Sequence, residues 1–140
     1  MSKKTLVLDA NILIRAVLGS RVRNLLMENA EAIKFFAPDS AYDEARKYLP
    51  ALLQKRDLAS KPAMAVLDLL VTLVEPMELE LYENLKEAAL KRIAIRDAND
   101  WPVLACAMAL GCAVWTEDAD FFGAGVATWT TDRVELYFSS

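Results

Sequence analysis

The sequence predicts an α/β fold, a three-layer α/β/α sandwich built on a mostly parallel sheet of 4–5 strands. Short apolar segments alternate with helical segments along the chain, the order that produces parallel strands with helices on both faces. Acidic residues follow the ends of two of these strands and begin two of the helices. Open α/β sheets bind ligands at the carboxyl ends of their strands, so one edge of the sheet could collect all of these acids.

Length and composition fit one domain spanning residues 1–140. A chain of 140 residues can bury a proper core without disulfides or structural metals. Its apolar fraction is 55%, above the usual ~45–50%. That excess suits a sheet covered on both faces, and it also suggests a buried interface between subunits.

The sequence gives no sign of membrane insertion or secretion. The longest apolar stretch, 102–115, is shorter than the roughly 20 residues that a spanning helix needs. The first residues, Met-Ser-Lys-Lys, lead into a strand without the apolar core of a signal peptide. We therefore expect a cytoplasmic protein without membrane association.

The lack of histidine narrows the possible chemistry. It removes the commonest general base and every Ser-His or Cys-His nucleophile pair, which leaves carboxylates, Lys, Tyr or a hard metal ion. Cys106 and Cys112 fit neither a zinc site nor a redox pair, and are interpreted as small buried side chains. The net charge of −4 argues mildly against nucleic-acid binding, although a cluster of metal-binding acids would itself contribute to it.

In chain order, apolar runs that end at an acid, a proline or a turn predict the strands, and apolar residues at helical spacing predict the helices. Strands are predicted over 5–8, 33–37, 113–116 and 126–130, with a short strand or a turn at 74–76. Helices are predicted over 11–18, 21–32, 39–55, 62–73, 78–93 and 100–110. Asp39 or Ser40 is expected to cap the third helix.

The helix at 62–73 is apolar on nearly every side. A helix without a polar face is expected to be buried all round. In a chain this short, the burial could come from the core or from a homodimer contact, and the sequence leaves both open.

Four acids, Asp9, Glu44, Asp100 and Asp118, lie at these element ends. Mg²⁺ and Mn²⁺ take oxygen ligands and can be held by a few carboxylates. A metal ion so held lowers the pKa of bound water and neutralises phosphoryl charge, which suits phosphodiester hydrolysis. Without a cation, converging carboxylates would repel and raise one another's pKa.

Each acid also has a purely structural interpretation. Asp9 could simply cap the following helix, and Asp97 and Asp100 could cap the helix that begins near Trp101 and Pro102. Glu44 could be a solvated helix residue, with Asp43 competing for any role. Asp118 could be a turn residue. These alternatives stay open for single residues, whereas the joint pattern favours a site.

Four segments carry the pattern in a fixed order. In the first segment, 6–13, an acid ends a strand and a small polar residue follows two positions later. The second, 40–45, has a glutamate early in a helix, and the third, 97–105, is an acid-rich turn before an alanine-rich helix. The fourth, 115–121, contains the pattern Thr-x-Asp-x-Asp-Phe after a strand. In this order they resemble the motifs of PIN-domain nucleases, the family that includes toxin ribonucleases of VapC type. The resemblance extends over most of the chain, from residue 6 to about residue 130.

The resemblance implies a three-layer α/β/α fold and Mg²⁺- or Mn²⁺-dependent cleavage of single-stranded RNA. By position, the catalytic set would be Asp9, Glu44, Asp100 and Asp118, and the metal ligands Asp9, Asp100, Asp118 and Asp120. Asn11, Thr116 and Asp97 would support them, with Asp97 competing with Asp100 as the ligand. Arg15 and Arg96 are candidates for phosphate contacts, although a solvated surface position is the commoner role. A toxin of this type would also have an antitoxin partner.

Three other classes of protein fit the sequence less well. A phosphoacceptor receiver domain needs Lys-Pro near its last strand, and the only Lys-Pro here, Lys61-Pro62, lies mid-chain. A haloacid-dehalogenase-type phosphatase needs Asp-x-Asp after the first strand, and position 11 is Asn. A non-catalytic PIN-like binding module would normally have lost acids that this chain retains, and it stays the main alternative.

Overall fold

A parallel sheet forms the centre of the computed structural model, which describes residues 4–93 and 97–140. The strands are β1 (Lys4–Leu8), β2 (Ile33–Pro38), β3 (Val74–Met77), β4 (Ala113–Trp115) and β5 (Thr128–Trp129). All neighbouring pairs are parallel, and the spatial order is β3-β2-β1-β4-β5. The predicted mostly parallel sheet is therefore confirmed, with β1 at its middle.

Helices cover both faces of the sheet. They are α1 (Ala10–Leu18), α2 (Arg21–Glu28), α3 (Asp39–Lys55), α4 (Ser60–Leu70), α5 (Lys86–Ile93), α6 (Trp101–Leu110) and α7 (Val134–Ser139). Successive strand side chains point to opposite faces. Leu6 and Leu8 accordingly belong to the core formed with α1 to α4, whereas Val7 belongs to the core formed with α5 and α6. These two cores are the basis of the predicted α/β/α layering.

The register of the central strands sets the position of the residues that follow them. Leu8 of β1 pairs with Trp115 of β4. The next residues, Asp9 and Thr116, therefore leave the sheet side by side at its carboxyl edge. Chain direction switches at β1, because β2 lies on one side of it and β4 on the other. This is the crevice where open α/β sheets bind ligands.

The start of α3 differs from the prediction. The helix begins at Asp39, and the N-cap is Pro38, whose side chain cannot form a capping hydrogen bond. Neither Asp39 nor Ser40 is the cap. The Asp39 carboxylate instead accepts hydrogen bonds from the backbone N–H of Leu79 (3.2 Å) and the hydroxyl of Tyr82 (2.7 Å).

That contact explains why residues 78–93 do not form one helix. The segment consists of two short 3-10 turns, Leu79–Leu81 and Glu83–Leu85, followed by α5. Tyr82 is 1% exposed, and its hydroxyl reaches an acid far away in the chain. The tertiary contact fixes a turn geometry that the local helical pattern does not contain.

Two other helical predictions need correction. α4 is buried on one side only: Leu67 is fully buried, whereas Leu69 is 66% exposed. α2 ends at Glu28 rather than at residue 32, and the Asn29 amide donates to the backbone oxygen of Leu25 at this end. In addition, α7 was not predicted from the sequence. Within 4–93 and 97–140, no helix combines the length and apolar character needed to cross a bilayer.

Candidate metal centre

Asp9 stands where β1 passes into α1. Its extended backbone makes it the N-cap of α1, and its Oδ1 accepts a hydrogen bond from the backbone N–H of Ile12 at 3.0 Å. Its Oδ2 accepts a hydrogen bond from the hydroxyl of Thr116. The residue is 7% exposed. Asp9 is therefore a helix cap and, at the same time, a buried carboxylate fixed at the carboxyl edge of the sheet.

Thr116 connects Asp9 to the turn after β4. While its hydroxyl donates to Asp9, the same oxygen accepts the backbone N–H of Asp118 at 2.9 Å. Asp118 Oδ1 then accepts the backbone N–H of Asp120 at 2.9 Å, which makes Asp118 the cap of a short 3-10 turn. The turn interpretation of Asp118 is therefore correct, and it does not prevent the side chain from lining a site.

The other two acids come from helix starts. Glu44 is exposed in the second turn of α3, while its neighbour Asp43 lies 4.0 Å from Arg46 with a side chain that is 82% exposed. Asp97 Oδ1 accepts the backbone N–H of Asn99 at 3.0 Å and so caps the 3-10 turn Ala98–Asp100. Asp100 makes no such capping bond.

One cavity of about 120 Å³ brings the four predicted acids together. Its acidic lining is Asp9, Glu44, Asp100 and Asp118, and Asn11 lines it as well. Asp43 is not part of the lining. Ser40 and Asn99 also line the cavity and were not singled out from the sequence, although each lies inside one of the four motif segments.

A second acidic group overlaps the first. Asp97, Asp100 and Asp120 each place a carboxylate oxygen within 4.8 Å of the others. Asp100 belongs to both groups, whereas Asp97 and Asp120 do not line the four-acid cavity. Thr116 lies behind Asp9 rather than in the cavity wall. Among the described residues that line the cavity there is no Lys or Arg; Arg96 lies outside the described residues.

The electrostatics of the cluster favour protonation. Burial raises the pKa of Asp9 to about 6, against the lowering effect of its bonds from Thr116 and Ile12, and the nearby Asp118 and Glu44 raise it further. The pKa of Asp100 is raised to about 7, first by burial and then by the charges of Asp97, Asp118 and Asp9. Carboxylates that desolvation and like charges disfavour in this way are the groups that a cation stabilises.

One buried oxygen of the cluster has a free acceptor position. Asp100 Oδ2 is buried and has no hydrogen-bond partner anywhere in the part of the chain that the structure describes. A buried acceptor without a partner is costly to the fold. Oxygen donors from several carboxylates are what Mg²⁺ and Mn²⁺ take, so the residues present fit a hard divalent ion.

Fold and site define an α/β/α protein with an acidic centre at the switch point of its sheet. A family model described as PIN domain matches residues 7–139, and the chain belongs to this family, whose members are generally nucleases. The receiver and phosphatase alternatives are thereby wrong. No curated protein matches the sequence significantly.

The solved structures that share the fold include two crystal structures. VapBC2 from Rickettsia felis, bound to a DNA fragment from its promoter, has a TM-score of 0.63 and 17% identity, covering 90% of this chain and 98% of that chain. FitAcB from Neisseria gonorrhoeae has a TM-score of 0.59 and 20% identity, covering 90% of this chain and 97% of that chain. At these identities the likeness concerns the fold.

Asp100→Asn is expected to stabilise the metal-free protein at neutral to alkaline pH. The folded-state pKa of Asp100 is about 7, against an ordinary 3.8. The stability contributed by its protonated form is therefore fully present below pH ~4 and is lost as the pH rises through ~7. The amide cannot ionise, so at pH ~8 in EDTA we expect a melting temperature at least about 3 °C higher, with little difference at pH ~4.

Thermal unfolding at both pH values measures this, and Asp43→Asn, an exposed carboxyl beside Arg46, is the matched control that should stay near the parent throughout. An Asp100→Asn effect of the same size at both pH values would contradict the electrostatic explanation.

Proposed function

We propose that the protein is a metal-dependent endoribonuclease that hydrolyses phosphodiester bonds of single-stranded RNA, with Mg²⁺ or Mn²⁺ as the cofactor. The observation that carries the proposal is the convergence of Asp9, Glu44, Asp100 and Asp118 on one cavity, beside a buried Asp100 oxygen without a partner. Membership of the PIN domain family supports a nuclease. RNA as the substrate is implied by the motif resemblance.

Asp9, Asp100, Asp118 and Asp120 are the residues proposed to hold the ion. When bound, it supplies a water of lowered pKa and neutralises charge on the phosphoryl oxygens. Asp100 is central to this assignment because it belongs to both acidic groups, and Asp97, close to it, helps to position it. The preference for Asp100 over Asp97 rests on geometry: Asp97 is used to cap its turn, whereas Asp100 lines the cavity.

Glu44 is proposed to be the general base. It reaches the cavity from α3, is exposed, and has no ion pair among the described residues. A carboxylate that no cation of the protein pairs with can accept a proton from an attacking water. Asn11, which lines the cavity one residue into α1, can donate its amide N–H groups to a phosphate oxygen.

Cleavage of a labelled single-stranded RNA tests the proposal. We expect cutting with Mg²⁺ or Mn²⁺ that EDTA abolishes. Changes around metal ligands typically cost 10–100-fold, so removing a direct ligand with Asp9→Asn should cost at least about 100-fold. Asp43→Asn, next to Glu44 but outside the cavity, should cut like the parent.

Cutting that survives Asp9→Asn would place the activity elsewhere or in a contaminant. A protein that neither cuts RNA nor binds the metal ion in calorimetry would support the non-catalytic binding module instead.

Thr116 is proposed to position Asp9 and Asp118 rather than to react. Thr116→Val removes the hydroxyl that bridges them and should lower kcat/KM about 10–100-fold with weaker metal binding, because supporting residues have effects of this size. Thr116→Ser keeps the hydroxyl and should restore both. Equal metal affinity in the valine and serine variants would show that the hydroxyl is dispensable.

We also propose a homodimer and an antitoxin partner in the cytoplasm. The antitoxin follows from the resemblance to VapC-type toxins, and the fold likeness to VapBC2 agrees with it. The dimer is supported by apolar side chains that the single chain leaves exposed, among them Leu69 on α4 (66%) and Leu58 just before it (49%).

Sedimentation should show a species of twice the 15.6 kDa chain mass. Leu69→Glu should shift it to the monomer, because a charge cannot be buried unpaired in such a contact. A monomeric parent would remove the dimer from the proposal.

A further inference from the structure

A second cavity, of about 420 Å³, is lined by arginines from three separate parts of the chain. Arg15 comes from α1, Arg21 from the start of α2, and Arg56 from the position directly after α3. The remaining lining is Leu18, Gly19, Val22 and Thr131. No acidic residue lines this cavity in the described chain, although the protein as a whole carries a net charge of −4.

The guanidinium groups are available to a ligand. Among residues 4–93 and 97–140, neither Arg15 nor Arg56 forms an ion pair. Arg21 pairs with Asp132 at 2.9 Å, but the side chains are 62% and 82% exposed. An exposed pair of this kind contributes little and is readily exchanged for another anion. The cavity is thus a concentration of positive charge without a fixed internal counter-charge.

The basic cavity is connected to the acidic centre through α1. Asn11 lines the acidic cavity and Arg15 lines the basic one, and both side chains are exposed. Residues four apart in a helix lie on the same face, one turn from each other. A chain bound along this face of α1 would therefore pass from the acids to the arginines.

The loop that borders the basic cavity is also hydrogen-bonded to the end of β4 and the turn that follows it. Thr131 lines the basic cavity, and its backbone N–H donates to Glu117 Oε1 at 2.7 Å. Glu117 lies between Thr116 and Asp118 in the sequence. In addition, the indole N–H of Trp115 donates to the Thr131 hydroxyl at 3.1 Å. The turn that carries the acids and the loop that borders the arginines are therefore held by direct bonds.

We propose that the Arg15–Arg21–Arg56 cavity binds a backbone phosphate of the RNA that occupies the acidic centre, on a nucleotide flanking the cut bond. The inference rests on the proposed function. Guanidinium groups present forked donors that match phosphate oxygens. An acidic protein with clustered carboxylates repels RNA, and a basic cavity on the same helix face supplies the attraction that the acidic centre lacks. An acidic segment of a partner protein would not require this proximity.

Binding of a fluorescent single-stranded RNA in EDTA, followed by anisotropy, tests the site without cleavage. Arg15→Gln and Arg56→Gln should each weaken binding by on the order of tenfold and lower the slope of log affinity against log salt by about 0.7 for each phosphate that is no longer neutralised. Arg92→Gln removes the same charge from α5, on the opposite face of the sheet, and should change neither. If the Arg15 and Arg56 variants bind RNA as the Arg92 variant does, the proposal is overturned.

A labelled polyglutamate peptide provides the competing arm. If Arg15→Gln and Arg56→Gln weaken its binding and leave RNA binding unchanged, the cavity binds an acidic protein segment and the phosphate proposal is wrong.

The binding result can be separated from the nuclease proposal. Loss of RNA affinity in the variants of a protein that never cuts RNA would sustain the phosphate site and refute the nuclease. Unchanged RNA affinity in the variants of a protein that does cut RNA would refute the phosphate site and sustain the nuclease.

Discussion

The bond between the Thr116 hydroxyl and the Asp9 carboxylate is the contact on which the rest of the site depends. It exists because β1 and β4 are neighbours in a register that pairs Leu8 with Trp115, so that the next residue of each strand emerges at the same edge. Both partners are buried, and a buried carboxylate must be hydrogen-bonded to be tolerated. The same hydroxyl oxygen accepts the backbone N–H of Asp118, so Thr116 also fixes the position of Asp118 relative to Asp9.

The convergence of Asp9, Glu44, Asp100 and Asp118 on one cavity could be expected from the sequence, because these acids lie after strands or near the starts of helices, and such positions are visible in the sequence. Asp9 follows a continuous apolar run, and parallel strands must end at one edge. The choice between Asp43 and Glu44 was beyond such reasoning, since it depends on how α3 is rotated about its axis against the sheet. Periodicity gives the relative phase of residues within a helix, but packing alone sets which side faces a cavity.

The parts of the fold that the sequence did not predict are those fixed by distant contacts. Residues 78–93 have a helical pattern, yet the Asp39 carboxylate captures Leu79 and Tyr82 and holds them in turns. α7 is only six residues long and owes its place to tertiary bonds, such as the one from the Tyr137 hydroxyl to the Thr5 backbone oxygen. Short helices are marginal by themselves. Composition also overstated the burial of α4, because an apolar surface does not reveal whether another chain covers it.

The arrangement of charge follows from what the acids require. Burial, and after it the charges of neighbouring carboxylates, raises the pKa values of Asp9 and Asp100 and destabilises the ionised form of the fold. The protein offsets part of this with neutral donors, the Ile12 N–H and the Thr116 hydroxyl, rather than with Lys or Arg among the described lining residues. A cation from the chain would neutralise the cluster permanently and occupy the space that a metal ion needs. The positive charge that the proposed polyanionic substrate requires then lies outside the acidic cavity. Arg15, one turn beyond Asn11 on α1, lines the second cavity together with Arg21 of α2 and Arg56 after α3.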